Sequence, residues 1–296
     1  MMVSHIKTSA GEKIGKAIIA FILCVIGAMC IYPMVYVFSM SLSDVMLVLK
    51  REIWLLPKKI SFDAYQFIFK RPDVWIAYYN TIWYTVVGTA INVVLTVLVA
   101  FPLSRKTFVL RKPMTFLIAL TMWFGGGMIP SFILVRALGM YGTRWSIVLP
   151  GAITAWNVII TRTFFEQTIP DELLEAGRID GANDLRMFFR IVLPLSQAII
   201  AVNILFYSVE HWNSFFNAIL YLPKKQMQPL QMFLRTLLFS ANSFGNATAA
   251  SDVDQQLLVE KLKYAVVVFA MLPITFLYPF LQKYFVKGVM IGSLKG

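Results

Sequence analysis

Charge is scarce in this 296-residue chain: Asp, Glu, Lys and Arg together make up 14% of it, and 58% of its residues are hydrophobic. An ordinary soluble domain is about one quarter charged, so a soluble globular composition is excluded. Cysteine is nearly absent. Cys24 and Cys30 stand six apart in one apolar run, so they face different sides of a helix and match no metal or redox spacing. Histidine is limited to His5 and His211, with no HExxH pair, which leaves no basis for a metal centre. A nucleotide-hydrolysis motif is missing too. The nearest string, Gly11-Glu12-Lys13-Ile14-Gly15-Lys16-Ala17, has the wrong spacing for a P-loop and ends in Ala where Ser or Thr is needed. Glu210, His211 and Ser214 lie close in sequence, but adjacency on one segment is poor ground for a hydrolytic triad, and no enzyme is expected.

The basic residues outnumber the acidic ones, 27 to 15, for a net charge of +12. In a soluble protein that would raise nucleic acid as a partner. Here Lys and Arg fall in loops between apolar stretches, where they set membrane orientation, and nucleic acid is not expected.

Six stretches approach or exceed the ~20 residues needed to cross a bilayer. They are Ala17–Met40, a part of Val74–Ser104, a part of Met114–Val135, Trp145–Phe165, Leu195–Leu222 and Tyr264–Gln282. The fourth is short and carries Arg162 near its end, which can snorkel to the interface. The fold class expected is all-α, a polytopic membrane protein with six transmembrane helices. Arg105, Lys106, Arg111 and Lys112 fill one short connection without an acidic residue, which places that connection in the cytoplasm. An even number of spans then puts both termini in the cytoplasm as well. The loop Ser41–Asp73 lies outside on this reading although it holds six Lys and Arg; its length weakens the charge rule there. In the third span Gly125-Gly126-Gly127 and Pro130 imply either a break, tolerated only where protein or a cavity satisfies the backbone, or close packing through small residues.

One polar stretch interrupts the apolar pattern, Gln167–Leu195. Thr168 can cap a helix whose first turn holds Pro170, Asp171 and Glu172. Asp180-Gly181 reads as its stop, with glycine in the left-handed conformation. Asn183 can cap a second helix carrying Leu185, Phe188, Phe189 and Val192 at helical spacing, and Pro194 marks the junction with the next span. The small residues Ala176, Gly177, Gly181 and Ala182 allow another protein to approach closely.

Glu175-Ala176-Gly177, Gly181, Ile191 and Leu193-Pro194 resemble the EAA motif of ABC-importer permeases, with Gly177 in place of the usual second alanine. The resemblance spans the chain. It includes GGGMIPSF at Gly125–Phe132, WNSFFNAILYL at Trp212–Leu222 and a basic, glycine-punctuated C-terminus from Lys283. It is closest to the six-span subunit of maltose-type carbohydrate importers, in the branch for oligosaccharides of plant or algal polysaccharides. The resemblance implies a type I ABC importer permease fold. Residues 1–16 would be a cytoplasmic N-terminus, 17–286 the permease domain, 166–195 its cytoplasmic coupling loop, and 287–296 a cytoplasmic tail. It implies a bacterial inner-membrane location and an ATPase-coupling set of Glu175, Ala176, Gly177, Asp180, Gly181, Ala182, Ile191, Leu193 and Pro194. Lys287, Gly288, Gly292, Lys295 and Gly296 would form a tail that contacts the ATPase.

The same resemblance implies a second six-span permease as heterodimer partner, two ATP-binding subunits, an extracytoplasmic solute-binding protein and an oligosaccharide cargo. ATP would be bound by the partner subunits and this chain would carry no cofactor. An ion-coupled secondary transporter is the alternative, although the spans hold few charges and show no internal repeat. In the fifth span Asn203, Tyr207, Glu210, Ser214 and Asn217 recur at steps of three or four, flanked by His211 and Asn213. They form either a polar stripe on a translocation path or a set of interhelical hydrogen bonds. Thr81, Thr85, Gly88, Asn92 and Thr96 on the second span read as a packing seam. Trp83, Tyr84 and Trp156 suit either sugar stacking or anchoring at the interface.

Overall fold

The computed structural model of the protein describes residues 10–244, 261–276 and 279. The described residues are helical or irregular, with no strand among them. They fall into two compact units, 10–70 with 237–244 and 261–270, and 71–236 with 271–276 and 279.

The first unit contains α1 (Ala10–Leu42), α2 (Val45–Leu49), α3 (Asp63–Lys70) and a helix over 261–276 whose first ten residues belong to it. Serines at the end of α1 fix the chain that follows. Ser39 Oγ donates to the carbonyl of Leu55 at 2.6 Å, Ser43 Oγ accepts from the Lys58 amide at 3.1 Å, and Ser41 Oγ lies 2.7 Å from the Tyr65 hydroxyl. Met40, Val48 and Ile53 are buried beneath that chain. The loop expected from Ser41 is therefore folded back on its own span rather than extended.

The second unit is built on α4 (Pro72–Ser104). Pro72 at its first position fits a site where no amide is needed. Along with Gly11–Leu42, Pro72–Ser104 is long and apolar enough to cross a membrane alone, with mean hydropathies of 2.6 and 2.3. The next three spans differ from continuous rods. α5 (Arg111–Leu120) and α6 (Met128–Ala137) are separated at the triple glycine, where Gly127 has φ +83°. α7 (Trp145–Val148) stops before Pro150-Gly151, with Gly151 at φ +77°, and α8 (Ala155–Thr168) resumes beyond it. The Leu195–Leu222 run divides at Asn213 into α12 (Gln197–Trp212) and α13 (Phe216–Tyr221). Between α8 and α12 come α9 (Asp171–Ile179), α10 (Asp184–Met187), a π-helical turn Phe188–Val192 and the short α11 (Leu193–Leu195). A 3-10 turn, Lys225–Met227, precedes α14 (Leu230–Phe244).

The seam between α4 and α12 depends on one missing side chain. A Cβ at Gly88 would fall 2.6 Å from Cε1 of His211, closer than real contacts allow. Around it Thr89 Oγ1 lies 3.3 Å from Ser208 Oγ, and Asn92 Nδ2 lies 3.2 Å from His211 Nε2. The Thr/Gly/Asn face of α4 is thus a packing seam, as its composition suggests. Gly88→Ala is expected to lower the melting temperature of the purified protein through overpacking of about 1–3 kcal/mol. Adding His211→Ala to the same chain should recover most of that loss. Thermal unfolding in detergent reads both, and an additive loss would show that Gly88 does not serve His211.

Candidate functional site

The polar hairpin between α8 and α12 has two faces of opposite fate. Leu174, Met187, Phe188 and Val192 are buried with Ile169 against Val97 and Ala100 of α4, Phe165 of α8 and Ile199 of α12. Leu173, Ile179, Leu185 and Phe189 point the other way and stay exposed, Ile179 at 87%. A surface normally hides such a row of apolar side chains unless a partner covers it.

Local chemistry shapes the hairpin. α9 begins after Pro170, whose φ of −60° and lack of an amide suit a helix start, and Asp171 and Glu172 sit in its first turn. Thr168 does not cap α9: it is the last residue of α8, and Ile169 and Pro170 separate the two helices. Gly181 adopts φ +78° directly after α9, the conformation that its place after Asp180 predicts. Asn183 caps α10 through Oδ1, which accepts from the Arg186 amide at 2.8 Å. Pro194 cannot donate to the helix behind it, and the preceding turn is wound as a π-helix, Phe188–Val192. At Ser196 the chain bends by 79° into α12. Gly177 is buried, and a Cβ there would meet Ile191 Cδ1 at 3.4 Å and Met187 Cγ at 3.5 Å, ordinary contact distances. Glu175, Ala176, Asp180 and Gly181 are exposed along the same helix and turn, Ala182 is half-buried at the turn, and Leu193 and Ile191 pack partly against the buried cluster while Pro194 is exposed.

Two polar clamps hold this hairpin, and neither was legible as more than topology. Arg105, the C-cap of α4, is only 8% exposed. Its Nη2 donates to the carbonyl of Phe165 at 3.1 Å, its Nε donates to Ser104 Oγ at 2.8 Å, and its Nη1 lies 3.5 Å from Asp171 Oδ1, a charge contact rather than a hydrogen bond. Burial pulls this guanidinium below its ordinary pKa, with Asp171 and then Glu166 opposing the pull. Lys106 Nζ adds a second cation 3.3 Å from Asp171. One turn of chain away, Glu166 accepts from Arg111 Nη2 at 2.5 Å and from Arg162 Nε at 3.0 Å, which ties α5 to α8. Arg162 is thus engaged in an ion pair rather than reaching freely to the interface.

The fifth-span residues divide. Asn203 Nδ2 donates to Thr161 Oγ1 of α8 at 2.7 Å, and the Tyr207 hydroxyl lies 2.7 Å from Thr96 Oγ1 of α4. With His211 on Asn92 these three are buried interhelical contacts. Glu210 and Asn213 are exposed. The helix ends at Trp212, so Ser214 and Asn217 are not on the face that Asn203 and Tyr207 share, a correction to the single stripe expected from spacing. Tyr84 is fully buried with its hydroxyl on the Met227 carbonyl at 2.7 Å, Trp83 packs against Trp145, and Trp156 is exposed. Lys287, Gly288, Gly292, Lys295 and Gly296 lie outside the described residues. Among the described residues no cluster of three His, Cys, Asp or Glu could hold a metal ion.

The family described as binding-protein-dependent transport system inner membrane component matches residues 74–291. The polygalacturonan/rhamnogalacturonan transport system permease protein YtcP of Bacillus subtilis is 40% identical, over 90% of this chain and 93% of its own. Protein LplC of the same organism is 40% identical over 92% of this chain and 91% of its own. In the crystal structure of a bacterial ABC transporter involved in the import of the acidic polysaccharide alginate, one chain superposes with a TM-score of 0.83 at 33% identity. That match covers 94% of this chain and 99% of that one.

Two glycine substitutions separate conformation from space. Gly177→Ala should be tolerated and gain up to about 1 kcal/mol of helix stability. Gly181→Ala should cost about 1–2 kcal/mol, because its left-handed backbone excludes a Cβ. Hydrogen exchange of the α9 amides reads both; slower exchange in Gly181→Ala than in the parent would contradict the assignment.

Proposed function

This chain belongs to the family of inner membrane components of binding-protein-dependent transport systems, a multi-pass permease of an ABC importer and not an enzyme. From that membership we propose that it forms half of the pathway of an ATP-driven oligosaccharide importer. The ion-coupled alternative is set aside by the same membership. The observation that carries the coupling role is the two-faced hairpin. One face is locked to α4, α8 and α12, and the other offers exposed Leu173, Ile179, Leu185 and Phe189 to a partner.

Two ATP-binding subunits supply the nucleotide chemistry; this chain binds no ATP. Their closure presses on Glu175–Gly181 and the apolar row beside it. Because the buried face is packed into the apolar cluster of α4, α8 and α12, the push moves the bundle as a body instead of deforming the hairpin. A second permease completes the pathway and an extracytoplasmic binding protein delivers the cargo. Both termini and the hairpin face the cytoplasm in this scheme. YtcP and the alginate importer are both named for polysaccharide transport, which supports a carbohydrate. The exposed Glu210 and Asn213 are the fifth-span residues available to line the path, whereas Asn203, Tyr207 and His211 hold the helices that form its wall.

The test is Arg105→Ala in the complete transporter, reconstituted with its binding protein in liposomes. Membrane insertion and assembly should persist, while sugar-stimulated ATP hydrolysis falls at least several-fold and basal hydrolysis stays. Unchanged stimulation would remove the clamp from the coupling account. Glu210→Ala should slow uptake with hydrolysis intact; an unchanged rate would take Glu210 off the path.

A further inference from the structure

In the first unit the chain leaves α1 and doubles back beside it. Ser39 precedes Leu42, the last residue of α1, by about 4.5 Å at 1.5 Å per residue, and its Oγ donates to the Leu55 carbonyl at 2.6 Å. Trp54, Leu55 and Leu56 are thereby held level with the last turn of a helix long and apolar enough to cross a membrane. The chain beyond them is fixed as well. The Lys58 amide donates to Ser43 Oγ at 3.1 Å, the Asp44 amide to the Lys58 carbonyl at 3.2 Å, and the Ser61 amide to the Leu42 carbonyl at 2.9 Å. Lys261 Nζ donates to the Ser61 carbonyl at 2.8 Å. Ile53 is buried with Met40 and Val48, yet the next three side chains are exposed, Trp54 at 75% and Leu56 at 71%. Ile60 and Phe62 are exposed too, as are Met34 and Phe38 in the last turns of α1. Apolar surface is thus left open both on the end of the helix and on the segment packed beside it, which marks a site for a partner or a membrane.

The charge around this apolar tip is the second observation. Lys50, Arg51, Lys58 and Lys59 bracket it and are all exposed, while Glu52 is the one acidic residue between Lys50 and Phe62. Among the described residues none of the four cations has an ion-pair partner. Arg51 and Lys59 hold φ +54° and +50°, a left-handed backbone that glycine takes with less strain, and a cation stands at each. Composition decides between the two kinds of partner. Lysine is depleted in the core of protein–protein interfaces. Tryptophan amid Lys and Arg is what the boundary of a bilayer collects, with the indole at headgroup level and the cations on lipid phosphates. The depth of Leu55 beside Ser39 agrees with that boundary.

We propose that Arg51–Phe62 is a docking surface for anionic phospholipid in the leaflet that surrounds the C-terminal end of α1. On the orientation proposed above that is the outer leaflet. Trp54, Leu55 and Leu56 enter the boundary between headgroups and acyl chains, and Lys58 and Lys59 donate to the lipid phosphodiester, with Lys50 and Arg51 adding to the local positive field. A zwitterionic lipid offers the same phosphate with a choline cation beside it, which these residues repel. The inference goes beyond the importer reading: it needs only the membrane placement of the chain, not a cargo or an ATPase.

The experiment uses the complete transporter in nanodiscs of phosphatidylcholine and phosphatidylglycerol in equal parts, with one lipid radiolabelled at a time. A photo-reactive benzoylphenylalanine replaces Leu56 in this chain. Illumination should attach lipid to the chain, with phosphatidylglycerol taken about fivefold over phosphatidylcholine. Lys58→Gln combined with Lys59→Gln should bring that ratio within about twofold, and Lys58→Arg with Lys59→Arg should keep the parent value. The same probe in place of Ile22, exposed in the middle of α1, should take the two lipids alike. Capture of a partner protein instead of lipid overturns the proposal. So does equal capture of the two lipids at Leu56, a preference that survives the loss of both lysines, or the same preference at Ile22. Sugar-stimulated ATP hydrolysis is read on the same nanodiscs. Its presence beside any of these failures leaves the importer standing, and its absence counts against the importer without touching the lipid surface.

Discussion

A buried guanidinium at the end of the longest helix of the second unit decides how the hairpin is attached. Arg105 is the last element of α4, yet its donors go to a carbonyl at the end of α8, and its charge faces the first turn of α9. Three elements that the chain reaches at different points therefore meet at one group. Desolvating a guanidinium is costly unless its donors are used and its charge is answered. The cost here is offset by Phe165, Ser104 and Asp171, with Lys106 adding to the same carboxylate. The apolar cluster under the hairpin then closes around that fixed point, and the hairpin inherits the rigidity of α4. Coupling at a distance needs this kind of stiffness, since a compliant loop would absorb the motion of a docked motor.

The exposed face carries the complementary property. Ile179, Leu185 and Phe189 add nothing to the internal packing of the unit, and the helix spacing that exposes them also buries Leu174, Met187 and Phe188. Small residues at Ala176 and Gly181 let a partner come close to the backbone between them. The remote end of α4 follows the same design. There Asn80, Thr81 and Tyr84 fix a short segment through its backbone.

Much of this was legible in the sequence where the signal is local. Gly181 is in the left-handed region because Asp180-Gly181 ends a helix, and Asn183 caps the next one; at the three successive glycines the sequence left a break and close packing both open, and the third span breaks there. The Thr/Gly/Asn row on α4 reads as a seam because small and hydroxylated residues recur on one face. What failed is what depends on partners distant in the chain. Arg105 looked like a topological charge because the carbonyl that buries it stands sixty residues on. Thr168 looked like a cap because propensity cannot show that α8 runs through it. The polar row of the fifth span looked continuous because periodicity does not reveal that the helix stops at Trp212, and the exposure of Ile179 and Leu185 drew no notice because apolar residues on an amphipathic helix are expected to be covered.

The central claim is that the hairpin and its bundle move as one body when nucleotide binds. It is tested most directly by pulsed electron–electron distance measurement between spin labels at Glu172→Cys in α9 and Lys224→Cys beyond α13, in the assembled transporter with and without ATP. The account predicts the same distance distribution within this chain in both states, while the distance from Glu172→Cys to a label on the partner permease changes. A shift within the chain with the partner distance constant would show a hairpin that flexes by itself, and would contradict rigid coupling.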